Sequence, residues 1–249
     1  MDIALALIAG AFVGSILGFI GAGGSMLTVP ILLYLFNFTP LAATTGSLAV
    51  VATAALAGLI PKWRAGDVLV REALTVWGLG LITNIGGALL AKHIHENIIL
   101  TGFAGILIFT GLSMLRAPIT NRSEKKVPVL ALILISLTIG AITGIFGIGG
   151  GFLAIPILVL FFHTSQNKAA GTSLLIIAMN CATALLGHHS SWHLVRWSIP
   201  MLIATSAVVI SLVASHYSSR VNARTLRRAF AITLFAIAIF TILKTWIGF

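Results

Sequence analysis

The chain alternates long apolar stretches with short polar connectors. Apolar runs occupy residues 3–20, 41–60, 73–91 and 98–115 in the first half, and 127–146, 169–187, 194–214 and 230–246 in the second. Each approaches the roughly 20 residues that a helix needs to cross a hydrocarbon core about 30 Å thick. Two shorter apolar pieces, residues 26–36 and 152–162, each follow directly on a glycine cluster. They are too short for ordinary spans and read as half-helices or re-entrant segments. The pattern predicts an all-α polytopic membrane protein of about eight full spans and two short broken or re-entrant segments.

Composition supports the same class. Only 8% of the 249 residues are charged and 59% are hydrophobic, whereas a soluble domain carries about 25% charged residues. So few charges cannot cover a surface that faces water, which excludes a soluble enzyme, a disordered chain and a nucleic-acid binder. The single cysteine, Cys181, lies in an apolar run, so neither a disulfide framework nor a thiolate metal site is expected. Met1-Asp2 supplies no positive n-region, and the first run reads as a retained membrane segment rather than a cleaved signal.

The two halves repeat each other. Residues 14–32 align without gaps on residues 140–158, with ten of nineteen pairs identical at a constant offset of 126. The shared register includes Gly14, Gly18, Gly21, Gly23, Gly24 and Pro30 against Gly140, Gly144, Gly147, Gly149, Gly150 and Pro156. The match continues from Ala43-Thr44-Thr45-Gly46-Ser47-Leu48 into Ala169-Ala170-Gly171-Thr172-Ser173-Leu174 and then fades. Residues 1–116 form the N-terminal transmembrane repeat, 117–127 a polar linker, and 128–249 the C-terminal repeat.

Basic residues distinguish two topologies. If each short segment and the helix before it make one crossing, the loops divide nine basic residues against six. If the short segment instead returns, one side holds Lys62, Arg64, Arg71, Arg116, Arg122, Lys125, Lys126, Lys168, Arg220, Arg224, Arg227 and Arg228. The other side keeps only Lys92, Arg196 and Lys244. Twelve against three is a strong positive-inside signal. Odd parity also inverts the repeats about a pseudo-two-fold axis in the membrane plane. It places the linker in the cytoplasm and both termini outside.

The glycine clusters carry the candidate chemistry. Irregular backbone survives at membrane depth only inside protein or beside a watery cavity. A helix that restarts after such a break presents free N–H groups and a positive dipole end to an anion. The candidate binding residues are Gly21, Gly23, Gly24 and Ser25 with Gly147, Gly149, Gly150 and Gly151. To these we add the hydroxyls Thr44, Thr45, Ser47, Thr172 and Ser173, which can equally cap helices, and the intramembrane amides Asn84 and Asn180, which can equally join helices. Gly14-x-x-x-Gly18 and Gly140-x-x-x-Gly144 have the spacing of close helix packing. His188, His189 and His193 lack a carboxylate or thiol companion and read as residues of a short polar loop, with an interfacial proton relay as the alternative. All five acids map to termini or loops, and no Walker A pattern occurs. No catalytic residue, metal site or cofactor is expected.

The repeated Gly-x-x-x-Gly-x-x-Gly-x-Gly-Gly-x-x-x-x-x-Pro, followed by the Ala-Thr/Gly-Thr/Gly-Ser sequence, resembles the TauE/SafE-type sulfite exporter family. The resemblance implies a multi-pass protein of a prokaryotic inner membrane that moves sulfite, a sulfonate or a related anion. Carried residue by residue, the motif falls on Gly21, Gly23, Gly24 and Pro30 and on Gly147, Gly149, Gly150 and Pro156. Ser25 departs from the triple glycine completed by Gly151. The leading expectation is a secondary transporter, an exporter working by alternating access around the two breaks. An anion channel of the same architecture and a non-transporting membrane subunit are the alternatives. The expected partners are a small anionic substrate and a bilayer with anionic lipids.

Overall fold

The computed structural model describes residues 2–22, 24–115, 129–151, 154, 155, 158, 166–218 and 223–247. Gly23, the whole linker 117–127, Pro156 and His163 lie outside the described residues, as does the side chain of Ser25. The first repeat runs α1 (Asp2–Ile20), α2 (Gly24–Pro30), α3 (Pro40–Arg64), α4 (Val70–Ala91) and α5 (Glu96–Leu115). The second contains α6 (Val129–Phe146), α7 (Gln166–Gly187), α8 (Ser198–Tyr217) and α9 (Ala223–Ile247). Helical backbone is also described at Gly151, Ala154, Ile155 and Leu158, at the place of the second short segment. The described residues form helices and no strands, which is the arrangement that satisfies every backbone group within one apolar segment.

Among the described residues, seven helices are long and apolar enough to cross a membrane, and α9 contributes a shorter apolar stretch, Ala231–Trp246. The protein is therefore an all-α polytopic membrane protein built from two inverted repeats. α2 is too short to cross: it passes at Pro30 into a π-turn, Ile31–Leu35. Together the twelve residues from Gly24 to Leu35 extend only about 18 Å at 1.5 Å per residue. Thr39 caps α3, its Oγ1 accepting from the Ala42 N–H at 3.4 Å, and Pro40 occupies the first turn, where a missing N–H costs nothing.

Packing follows the pseudo-two-fold. α1 lies along α8 while α6 lies along α4, so the first helix of each repeat packs on the fourth helix of the other. α3 and α7 pack together in the centre, and α5 pairs with α9. In the apolar windows of α3 and α7, 78% and 61% of residues are buried, against 28–44% for the other five spans. α3 and α7 are thus the core pair and the others form the lipid-facing shell. A Cβ on Gly14 or Gly18 would fall 2.5 Å from the Ala207 or Ser211 carbonyl oxygen of α8. Gly140 and Gly144 press equally hard on the Gly80 and Asn84 carbonyls of α4. These four glycines let the shell helices touch, as their spacing predicts.

Cross-chain contacts identify the two faces. On face A, Arg196 donates to the Phe36 carbonyl at 2.6 Å and Lys244 lies 4.9 Å from the Tyr34 ring centroid. On face B, Lys62 donates to Ser218 Oγ at 2.8 Å and the Leu69 N–H donates to Thr172 Oγ1 at 3.0 Å. The start of α1 and the end of α9 both belong to face A, and α5 runs from A to B. The first short segment turns back rather than completing a crossing, and in the second repeat α6 ends at face A while α7 begins at face B.

Candidate functional site

The breaks after α1 and α6 have the same construction. The Gly21 N–H donates to the Leu17 carbonyl and the Gly147 N–H to the Thr143 carbonyl, each at 2.9 Å, closing the two helices. Gly21 then adopts φ +74° and Gly147 φ +68°, left-handed backbone that a side chain disfavours. Each turn docks on the first turns of the opposite repeat's core helix. A Cβ on Gly21 would lie 2.7 Å from the Ala170 carbonyl oxygen of α7, and one on Gly147 would lie 2.7 Å from that of Thr44 on α3.

Two serines fasten these crossings. Ser173 donates to the Gly21 carbonyl at 2.5 Å, and Ser47 donates to the Gly147 carbonyl at 3.1 Å. Each hydroxyl has one hydrogen, yet each also lies within reach of a carbonyl in its own helix. The Ala170 oxygen is 2.8 Å from Ser173 Oγ, and the Thr44 oxygen is 2.7 Å from Ser47 Oγ. The single hydrogen is therefore shared, or exchanged, between a helix carbonyl and a break carbonyl.

Beyond the turns the chain reaches the middle of the core pair. Gly149, at φ +73°, faces Val51 of α3 and Cys181 and Ile177 of α7. Gly151 faces Ile177, and a Cβ there would lie 3.6 Å from the Cβ of Ala22, so the two breaks meet. Gly24 and Gly150 face away from this meeting point. A Cβ on Gly24 would lie 2.7 Å from the Val13 carbonyl oxygen of α1, and one on Gly150 would lie 2.5 Å from Ile139 Cγ2 of α6. Their missing side chains allow the returning segment to pack on its own first helix. What they can offer a ligand is main-chain N–H, since the first four N–H groups of a helix have no intrahelical acceptor.

The other candidates divide between the site and its frame. Thr44, Thr45, Ser47, Thr172 and Ser173 are buried beside the crossings. Thr45 Oγ1 lies 2.8 Å from the Leu41 carbonyl oxygen, and Thr172 Oγ1 accepts from the Leu69 N–H. Asn84 and Asn180 join α4 to α7. Asn84 Nδ2 reaches the Asn180 carbonyl at 3.0 Å, Asn180 Oδ1 at 3.1 Å and Thr183 Oγ1 at 3.2 Å. Asn84 Oδ1 and Asn180 Nδ2, both buried, have no hydrogen-bond partner. A cleft lined by Tyr34, Asn37, Phe38, Glu96 and Lys244 opens at face A, at the far end of the returning segment from the first break. Among the described residues no group of His, Cys, Asp or Glu has the arrangement of a metal site.

One residue lies where the sequence did not place it. His188 was expected in a polar loop with His189 and His193, but it is only 1% exposed. Its Nε2 lies 2.8 Å from the Gly144 carbonyl oxygen and its Nδ1 3.1 Å from Thr45 Oγ1. It lies just past the span Asn167–Gly187. Burial lowers its pKa, with the Gly144 carbonyl acting in the opposite direction. His189 and His193 are exposed, as a loop requires.

An inverted-repeat helical membrane protein whose two breaks meet between its core helices has the architecture of a membrane transporter. The chain belongs to the sulfite exporter TauE/SafE family, whose model matches residues 6–241. A relative from Xylella fastidiosa, named "Probable membrane transporter protein", is 31% identical over 95% of this chain and 94% of its own length. YdhB and YunE of Bacillus subtilis carry the same description. YdhB is 28% identical over 66% of this chain and 69% of its own length, and YunE 24% over 83% and 85%. No solved structure matches.

Proposed function

We propose that the protein is a secondary transporter that exports a small sulfur-containing oxyanion, sulfite or a sulfonate, by alternating access of its two repeats. The observation that carries this reading is the reciprocal crossing of the breaks: a serine of each repeat holds the first glycine carbonyl of the other. Rocking one repeat against the other changes these two contacts together. The serine hydrogens have helix carbonyls to fall back on, so neither break need leave a buried donor unsatisfied.

The anion would be held by main-chain N–H groups at the starts of the two returning segments, around Gly23, Gly24 and Ser25 and around Gly149, Gly150 and Gly151. Each helix end carries about half a unit of positive charge. The unpartnered Asn180 Nδ2 is a further donor beside the second break. In this conformation the hydroxyls of Ser47 and Ser173 are occupied with the breaks and act on the anion through their position.

Face B is assigned to the cytoplasm because the described basic residues Lys62, Arg64, Arg71, Lys168, Arg224, Arg227 and Arg228 lie at its helix ends, against Lys92, Arg196 and Lys244 at face A. This charge raises the local concentration of anions at the inner mouth. A monovalent anion leaving a negative-inside cell gains about 2.3 kcal/mol per 100 mV, so export is favourable without a bound metal cation. Thermal-shift and calorimetric titration of the purified protein with sulfite, methanesulfonate, sulfoacetate, phosphonate and acetate would test the substrate class. Stabilisation by the sulfur oxyanions, with weak effects from acetate, is expected. Equal, flat responses to all five would reject the assignment.

A further inference from the structure

His188 ties together three helices at the second break. It follows directly on α7 and hydrogen-bonds Gly144, three residues before the Gly147 turn of α6. Through Thr45 it reaches α3 two residues before Ser47, which holds that same turn. Any movement of α6 against α3 and α7 at face A must pass through this imidazole.

Hydrogen counting defines what the joint can do. The Gly144 carbonyl only accepts, so Nε2 carries a hydrogen. Thr45 has one hydrogen and two acceptors within reach, the Leu41 carbonyl at 2.8 Å and Nδ1 at 3.1 Å. With neutral His188, Thr45 donates to bare Nδ1 and leaves the Leu41 carbonyl to its helical bond. With a proton on Nδ1, the direction reverses: Nδ1–H donates to Thr45 Oγ1, and Thr45 turns its hydrogen to Leu41. The lone pair of Nδ1 takes up one proton from water, no covalent bond breaks, and every polar atom of the joint keeps a partner in both states.

The repeat supplies a second observation. The position 126 residues earlier is Lys62, also buried at 7% exposure and packed beside Gly171, the counterpart of Thr45. Each core helix thus ends in a buried base, a lysine at face B and a histidine at face A. Only the histidine has an ordinary titration between about pH 5 and 8.

Among the described side chains, none beside His188 supplies a counter-ion. α3 offers the Thr45 hydroxyl, α6 the Gly144 carbonyl, and α4 approaches the end of α7 through Ala88 beside Gly187. Asp2 opens α1 on face A; the other described titratable groups of that face are Tyr34 in the first returning segment, Lys92, His93, His95 and Glu96 between α4 and α5, His189, His193 and Arg196 in the loop after α7, and Lys244 on α9. None of these is hydrogen-bonded to His188. Arg196 is engaged with Phe36 and Phe38, and Lys244 with Tyr34. Burial without a carboxylate favours the neutral ring in this closed joint, whereas water favours the cation.

We propose that His188 is the proton-binding site of the transporter, neutral while the joint at face A is closed and protonated when that face opens to water. Acid on face A therefore drives opening toward face A. The inference rests on the transporter reading above and adds to it a proton that gates the opening of face A.

Oriented proteoliposomes with methanesulfonate, whose charge does not change over the range, test it. The pH on face A is lowered from about 8 to about 5.5 while that on face B is held constant. Wild-type flux should rise severalfold. His188→Gln keeps a donor for Gly144 and an acceptor for Thr45, and should transport with a flat profile; His189→Gln should keep the wild-type response. A His188→Gln protein with the wild-type profile would overturn the proposal. Nitrogen NMR of histidine-labelled wild-type protein, with His188→Gln for assignment, reads the site without transport. Protonation of Nδ1 across this range supports the proposal, and a ring that stays neutral to about pH 4.5 sinks it. Absence of flux for both methanesulfonate and sulfite in the wild type would count against the transporter reading, and the NMR result would still decide the fate of His188.

Discussion

Gly147→Ala offers the sharpest energetic test of the crossing. Gly147 has φ +68°, and a Cβ there would sit 2.7 Å from the Thr44 carbonyl oxygen, 2.8 Å from Ser47 Oγ and 2.9 Å from Thr44 Cγ2. Left-handed backbone costs an alanine about 1–2 kcal/mol. Forcing a methyl into occupied space adds about 1–3 kcal/mol, for a total of about 2–5 kcal/mol. Gly66 supplies an internal control: its φ is +73°, but nothing lies within 4 Å of its Cβ position. Gly66→Ala should therefore carry only the backbone cost of about 1–2 kcal/mol. The gain from restricting the unfolded chain, about 0.4–1 kcal/mol, is common to both and cancels in the comparison. Equilibrium unfolding in mixed detergent micelles reads the difference, and Gly21→Ala should match Gly147→Ala because it meets Ala170 in the same way. If Gly147→Ala were no less stable than Gly66→Ala, the turn would not be docked on α3 as described.

Three further outcomes follow from the same geometry. Ser47→Ala and Ser173→Ala should each lose about 0.5–1.5 kcal/mol and resemble one another, as symmetry-related buried hydrogen bonds must; unequal losses measured by unfolding would break the pseudo-two-fold. Because the folded state holds the pKa of His188 below its unfolded value of about 6.5, the unfolded chain binds the extra proton first on acidification. Stability should thus fall as pH drops below about 6.5 and level off beneath the folded pKa, and His188→Gln should lack this part of the slope in pH-dependent melting. Finally, a reporter active only in the cytoplasm should be silent after the C-terminus and active when inserted within residues 117–127; the reverse pattern would invert faces A and B.

Much of the architecture was legible because glycine and proline keep a register that lipid-facing leucines do not. The offset between Gly21-x-Gly-Gly and Gly147-x-Gly-Gly, with twelve basic residues on one side under odd parity, specified inverted repeats before any contact was known. The helices followed, with ends displaced by a few residues: the span read from residue 194 begins at Ser198, after a 3₁₀ turn from His189 to Leu194. What the sequence could not reveal was which repeat each side chain serves. Ser47 and Ser173 read equally as helix caps or ligand donors because they begin apolar helices; the carbonyls they hold across the repeats lie 100 and 152 residues away. Gly24 and Gly150 belong to the same motif as Gly21 and Gly147, yet their Cβ directions meet α1 and α6, a matter of helix rotation that spacing alone does not encode. His188 was read as a loop residue because polar neighbours surround it. The available signal was the register itself: extending the repeat to the ends of the core helices pairs His188 with Lys62 and marks both as unusual.

Counterflow in proteoliposomes tests the central claim most directly. Vesicles containing the purified protein are loaded with unlabelled sulfite and diluted into a trace of radiolabelled sulfite. A carrier that alternates around the two glycine breaks must accumulate label transiently above its equilibrium level, with a saturable initial rate. Gly147→Ala vesicles, matched for inserted protein, should accumulate it far more slowly. Monotonic, non-saturating equilibration without an overshoot would mark a channel instead, and identical traces from protein-containing and empty vesicles would contradict sulfite transport.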